Sequence, residues 1–209
     1  MTLLKPHNRW IALALSMCLL APWTVQAQSA TTPSSTNTSS STPKVRISTS
    51  MGDIEAELYA DKAPKTVANF VQYVSDKHYE GTIFHRVIPG FMLQGGGYDG
   101  QYREKKTRAP VVHEGRQALA AGLKNTTGTL AMARTNDPQS ATAQFFINVV
   151  DNAFLDPSFQ SFGYTVFGKV TSGMDVVQKI RNTPTGTGGP FPTDVPRTPV
   201  VIQSITLLK

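Results

Sequence analysis

Apolar and polar positions alternate first across residues 44–58. Val45, Ile47 and Thr49 lie on one side of Met51-Gly52-Asp53, and Ile54, Ala56 and Leu58 on the other. Period-two alternation on both sides of a glycine-containing turn predicts a β-hairpin. The period then changes. Val67, Phe70, Val71 and Val74 recur at i, i+3, i+4 and i+7 behind Pro64, which suits a first helical turn, so a helix is predicted there. Further strands are expected at Thr82–Ile88, Phe91–Gln94, Thr129–Ala133, Gln144–Val149, Thr165–Val170 and Val200–Leu207. A second short helix fits Met174–Ile180, and Gly and Pro punctuate Thr183–Pro199, which reads as a long loop. Many short strands with two helices indicate an antiparallel barrel or sandwich whose open ends the helices cover.

The alternation starts only after two segments of different character. Lys5, His7 and Arg9 precede the apolar run Ile11–Leu20 and the small-x-Ala pattern Val25-Gln26-Ala27. This predicts a secretory signal peptide over residues 1–27, cleaved after Ala27. The apolar run is too short for a membrane span, which needs about 20 residues. Residues 28–43 are almost entirely Ser, Thr, Ala, Asn and Pro, a composition that cannot bury a core and predicts a disordered linker. Residues 44–209 are expected to form one domain. Cys18, in the leader, is the only cysteine, so the mature chain would carry neither a disulfide nor a thiol, as suits a periplasmic or extracellular location. Removing Lys5 and Arg9 takes the net charge from +6 to +4. Arg103, Lys105, Lys106 and Arg108 form one basic cluster, without the interleaved aromatics of a nucleic-acid surface. No metal-ligand spacing links His78, His85 and His113, and no G-x-S-x-G elbow is present.

The residues that carry chemistry lie in segments of mixed character. Phe84-His85-Arg86-Val87-Ile88-Pro89-Gly90-Phe91-Met92-Leu93-Gln94-Gly95-Gly96-Gly97 sets a permanent cation and an amide among large apolar side chains. Burying those polar groups unpaired costs several kcal/mol, about 2–7 for an amide, so the mixture points to an apolar pocket with a few placed polar groups. Gln144-Phe145-Phe146-Ile147-Asn148 puts Gln144 and Phe146 on one strand face and Phe145 on the other. Phe154-Leu155-Asp156 leads on to Tyr164-Thr165-Val166-Phe167-Gly168-Lys169-Val170. Gly95-x-Gly97-x-x-Gly100 matches a dinucleotide fingerprint literally, but no amphipathic helix follows, and the glycines read as a tight turn leading out of the site.

FHRVIPGFMLQGG, QFFI and VFGKV, in this order and spacing, identify residues 44–209 as resembling the cyclophilins, peptidyl-prolyl cis-trans isomerases, and in particular the secreted bacterial kind. The resemblance implies a mainly β fold, a closed eight-stranded antiparallel β-barrel capped by two α-helices. It implies that Arg86 is catalytic. Phe91, Met92, Phe146 and Leu155 would wall a proline pocket, and Gln94 and Gln144 would bind the substrate backbone or hold the arginine. Ala133, Arg134 and Thr135 would form the strand edge along which the peptide lies. Phe154 stands where many members have tryptophan, and Tyr164 where many have histidine. The lost indole donor predicts weak cyclosporin binding. The implied partners are proline-containing unfolded or exported polypeptides, bound by a monomer with no nucleic acid and no membrane span in the mature chain. Rotation about a peptide bond breaks no bond and calls for no cofactor or metal. His85 is expected to buttress the strand beside Arg86 rather than to transfer a proton. The alternative role is a chaperone or binding module that uses the same groove for proline-containing segments.

Overall fold

The computed structural model describes residues 42–208. The expected leader, and the linker up to residue 41, lie outside the described residues. The elements run β1 (Lys44–Thr49), β2 (Gly52–Leu58), α1 (Pro64–Ser75), β3 (Thr82–Ile88), β4 (Met92–Asp99), α2 (Gly115–Ala120), β5 (Thr129–Met132), β6 (Phe145–Asn148), a 3-10 turn (Ala153–Leu155), β7 (Val166–Ser172), α3 (Met174–Arg181), β8 (Thr185–Gly188), β9 (Phe191–Pro196) and β10 (Val201–Leu208). Eight strands close an antiparallel barrel in the order β1-β10-β3-β4-β6-β5-β7-β2. The fold is therefore the mainly β, closed eight-stranded barrel expected from the sequence. No described helix is long and apolar enough to cross a membrane.

Side-chain alternation sorts the strands into two apolar clusters. Leu93, Leu130, Met132, Phe145, Ile147 and Phe167 join Val45, Ile47, Ile54 and Leu58 in the barrel core. Their neighbours in sequence, Met92, Ala131, Phe146 and Val166, form a smaller cluster on the opposite face with Leu155, Ala118 and Leu123. The apolar stripe predicted for α1 completes the main core. Phe70 lies 5.1–5.5 Å from the rings of Tyr79, Phe145 and Phe167. Each ring so buried contributes about 1.5–3 kcal/mol. Val176, Val177 and Ile180 of α3 close the core from another side.

The structure departs from the sequence reading in three places. Residues 183–199 are not a plain loop, because β8 and β9 pair antiparallel within them, with Gly186 opposite Val195 and Gly188 opposite Phe191. The hairpin is held by non-local contacts of Phe191 with Tyr98 and His85, which leave no periodicity in the chain. A third helix, α2, joins the two expected ones; at six residues it is too short to carry a helical period. The glycines of 95–97 form no exit turn but lie inside β4, which runs on to Asp99. Gly96 has φ +85, and a Cβ there would come within 2.9 Å of the Tyr79 ring. A Cβ on Gly97 would come within 2.5 Å of the Gln144 side chain. Glycine serves here for close approach within a sheet.

Candidate active site

The site begins with a break in the alternation of β3. Phe84 and Val87 both face the barrel core, although strict period two would put them on opposite faces. The register with β4 shifts between Phe84, opposite Gly95, and Arg86, opposite Gln94. Two residues of β3 thus span one step of β4. This β-bulge re-aims the side chains between the two core residues. Its result is a row across four strands: Arg86 opposite Gln94, Gln94 opposite Phe146, and Phe146 opposite Ala131. Side chains directly opposite on one face stand about 4.5–5.5 Å apart at Cβ.

Around this row lies a cleft of about 130 Å³ lined by Arg86, Phe91, Met92, Gln94, Ala133, Arg134, Phe146, Leu155 and Tyr164. Met92, Phe146 and Leu155 are buried, so its floor is apolar and already packed. Phe146 meets Tyr164 edge to face at 5.5 Å. Gln94 donates from Nε2 to Oε1 of Gln144 at 3.0 Å, which fixes both amides. The Arg86 Nε stands 3.8 Å from the Asp194 carboxylate. No side-chain hydrogen bond among the described residues engages its terminal Nη groups.

Nine of the twelve site residues expected from the sequence line this cleft. Gln144 and Thr135 instead line an adjoining polar groove of about 390 Å³ with Glu104, Thr107, Ser140 and Thr142, which also shares Gln94, Ala133 and Arg134. Phe154 lines neither; it is 71% exposed and stacks on the outer side of Phe91 at 5.6 Å. Arg134 is engaged within the fold. Its Nε and Nη2 donate to the Gly163 carbonyl at 3.0 and 2.9 Å, and its guanidinium lies 4.7 Å over the Tyr164 ring. It holds the Tyr164 wall upright, and donors tied up in this way are poorly placed for a ligand.

His85 does not line the cleft. It is buried between Tyr98 and Phe191, with ring centroids 4.7 and 5.2 Å away. Burial pushes its pKa down to about 4, with the Arg86 cation adding to the shift and the Ile83 carbonyl opposing it. A neutral ring that packs β3 in place fits the buttress role expected for it.

The profile of the family described as cyclophilin type peptidyl-prolyl cis-trans isomerase/CLD matches residues 44–207. The chain belongs to this family. A peptidyl-prolyl cis-trans isomerase of Acinetobacter baylyi is 55% identical over 163 residues, covering 78% of this chain and 84% of the relative. Peptidyl-prolyl cis-trans isomerase A of Dickeya dadantii is 49% identical over 191 residues, covering 91% and 97%. The B enzyme of Escherichia coli is 52% identical over 166 residues, covering 78% and 98%. Among solved structures, a Cryptosporidium parvum cyclophilin studied in the presence of the dipeptide Ala-Pro is 26% identical with TM-score 0.63, covering 79% of this chain and 99% of that one. The chain is a peptidyl-prolyl cis-trans isomerase.

The cyclophilin cleft also rests on residues to which the sequence reading gave no role. Asn148, buried on β6, donates to Thr129 Oγ1 at 2.9 Å, and Asn152 donates to Asn148 Oδ1 at 2.7 Å and to the Phe91 carbonyl at 3.0 Å. Asp156 accepts from the backbone and side chain of Asn125 at 2.7 and 2.9 Å. This network ties the Phe91 turn and the Leu155 segment to the barrel beneath the pocket. Asn148 at the end of an apolar strand was its signal, since an unpaired amide is costly to bury.

Proposed function

We propose that the cleft takes the proline of an extended polypeptide between Phe91, Met92, Phe146 and Leu155, and that Arg86 acts on the X-Pro bond. The single observation that carries this reading is the cross-strand row, with Arg86 in register with Gln94 at the edge of an apolar cleft. Partial double-bond character gives the X-Pro bond a rotational barrier of about 18–20 kcal/mol, and uncatalysed exchange takes on the order of 10–100 s at 25 °C. As the bond twists, amide resonance is lost and the proline nitrogen gains a lone pair. A donor aimed at that nitrogen favours the twisted state over both planar ones, and each ~1.36 kcal/mol gained is worth tenfold in rate. Arginine remains charged throughout, and its Nη groups are uncommitted among the described residues. On this reading Gln94, held by Gln144, orients the substrate backbone, and Ala133 and Thr135, which line the adjoining groove, form the edge along which the peptide runs. A proline ring seated on the apolar floor would displace water from the reacting bond and so strengthen the electrostatic effect.

Arg86→Ala is expected to lower kcat/KM on a short X-Pro peptide by about 10²–10³-fold, the usual loss of one transition-state donor, with the melting temperature unchanged. Near-normal turnover by a folded variant would sink the assignment. In the same assay cyclosporin is expected to inhibit weakly, because Phe154 has no indole donor; nanomolar inhibition would refute that. The exposed Phe154 at the rim also favours a holding role for proline-containing segments alongside catalysis.

The expected leader 1–27 and linker 28–43 support work on exported proteins in the periplasm, with the 44–209 domain acting as a tethered monomer. N-terminal sequencing of the protein recovered from the periplasmic fraction is expected to begin at Gln28. Recovery only from the cytoplasm with an intact Met1 would reverse that placement.

A further inference from the structure

Asp194 lies in a segment with no periodicity, yet its position is fixed from both sides. Phe191 packs against Tyr98 at 5.0 Å and His85 at 5.2 Å, and Val195 is buried opposite Gly186. Between these anchors Asp194 takes φ +66, a left-handed conformation. Aspartate and asparagine tolerate this conformation better than other residues with a Cβ. Non-glycine residues held there concentrate at functional sites.

What this conformation achieves is the placement of one carboxylate. Asp194 Oδ2 lies 3.8 Å from Arg86 Nε and accepts from Thr193 Oγ1 at 3.1 Å. The distance is that of an ion pair rather than a hydrogen bond. The two side chains are 34% and 43% exposed, so water and salt screen the attraction. It is the only ion pair of Arg86 among the described residues. It engages the Nε edge of the guanidinium, and no side-chain hydrogen bond among the described residues engages the terminal Nη groups.

We infer that Asp194 is a positioning residue for Arg86. Its carboxylate narrows the range of the guanidinium, so that the Nη groups meet the twisting bond more often, while taking no part in substrate contact. This rests on reading Arg86 as the transition-state donor. A residue that shapes only the productive orientation changes kcat and leaves KM nearly alone.

Asp194→Asn removes the charge while keeping the side-chain shape and the tolerance for positive φ. The variant is expected to lose about two- to fivefold in kcat with KM unchanged, the scale of an exposed ion pair. Its melting temperature should match that of the parent. Rising NaCl should lower kcat of the unaltered protein towards that of the variant, because the pair is screened, and should leave the variant flat. The order parameter of the Arg86 Nε–Hε group, measured by 15N relaxation, should fall in the variant.

A folded Asp194→Asn enzyme with parental kcat and an unchanged Arg86 order parameter would overturn the role, as would a salt-independent kcat in the unaltered protein, a test that needs no substitution. Arg86→Ala is assayed beside it. If Arg86→Ala collapses turnover while Asp194→Asn does not, the Asp194 role alone fails. If Arg86→Ala turns over normally, the reading of Arg86 fails and takes the Asp194 role with it. Adding Asp194→Asn to Arg86→Ala should cost nothing further; an extra loss would mean that Asp194 acts by another route and would likewise reject the role.

Discussion

His85 and Arg86 are consecutive, and both are displaced from the barrel core by the bulge in β3, yet their environments differ. Arg86 borders the cleft with its side chain 43% exposed. His85 is 3% exposed, and its Nδ1 finds no hydrogen-bond partner among the described residues. A buried imidazole with a pKa of about 4 has a stability consequence whose sign follows from linkage. The unfolded chain, with its His near 6.5, binds more protons than the folded one between pH 6.5 and 4, so stability rises with pH across that window. The contribution is complete above about pH 6.5 and is lost as the pH falls to about 4, on the order of 3 kcal/mol. His78 and His113 are also lowered, chiefly by burial, and act in the same direction. His85→Phe keeps an aromatic ring against Tyr98 and Phe191 and removes the proton site. Urea denaturation from pH 4 to 7 should show a visibly shallower slope for this variant; an unchanged slope would mean that His85 is solvated in the folded state.

At the scale of elements, α1 shows how a distant residue completes what local sequence begins. Its stripe and Pro64 are legible in the chain, but Ala63 at its N-cap has no side-chain acceptor. Glu114 supplies one from the segment before α2. Its carboxylate accepts from the backbone N–H groups of Lys65 and Thr66 at 3.1 and 2.8 Å and from Thr66 Oγ1 at 2.7 Å. A buried carboxylate on the positive end of a helix is favoured by the dipole and by charge-assisted hydrogen bonds. Glu114→Ala is expected to lower stability by about 2 kcal/mol, since it leaves buried donors unpaired. Differential scanning calorimetry against Glu114→Gln, which keeps an acceptor, checks this; an Ala variant as stable as the Gln variant would refute it. The strand pattern was legible in β1 and β2 because buried and exposed positions alternate there, and in β5 and β6 because they are short apolar runs buried on both faces. The β3 bulge, the full length of β4 and the β8–β9 hairpin were not, since each depends on what another segment presents.

At the scale of the molecule, one pattern serves two purposes. Inward residues of β4, β5 and β6 build the barrel core, and their alternate neighbours build the floor of the cleft. The floor of the cleft is therefore part of the sheet itself, which suits a reaction that asks for orientation more than for reactive groups. Sequence alone determined the periods of β1 and β2, the α1 stripe, the family and nine of the residues that line the cleft. These are legible because periodicity and short-range spacing are written along the chain. Only the tertiary structure decided which way those residues point and what holds them: the bulge that sets Arg86 opposite Gln94, the asparagine network under Phe91, Arg134 spent on the Gly163 carbonyl, and Asp194 beside the guanidinium. Each joins segments far apart in sequence through packing and hydrogen bonds that no local pattern encodes.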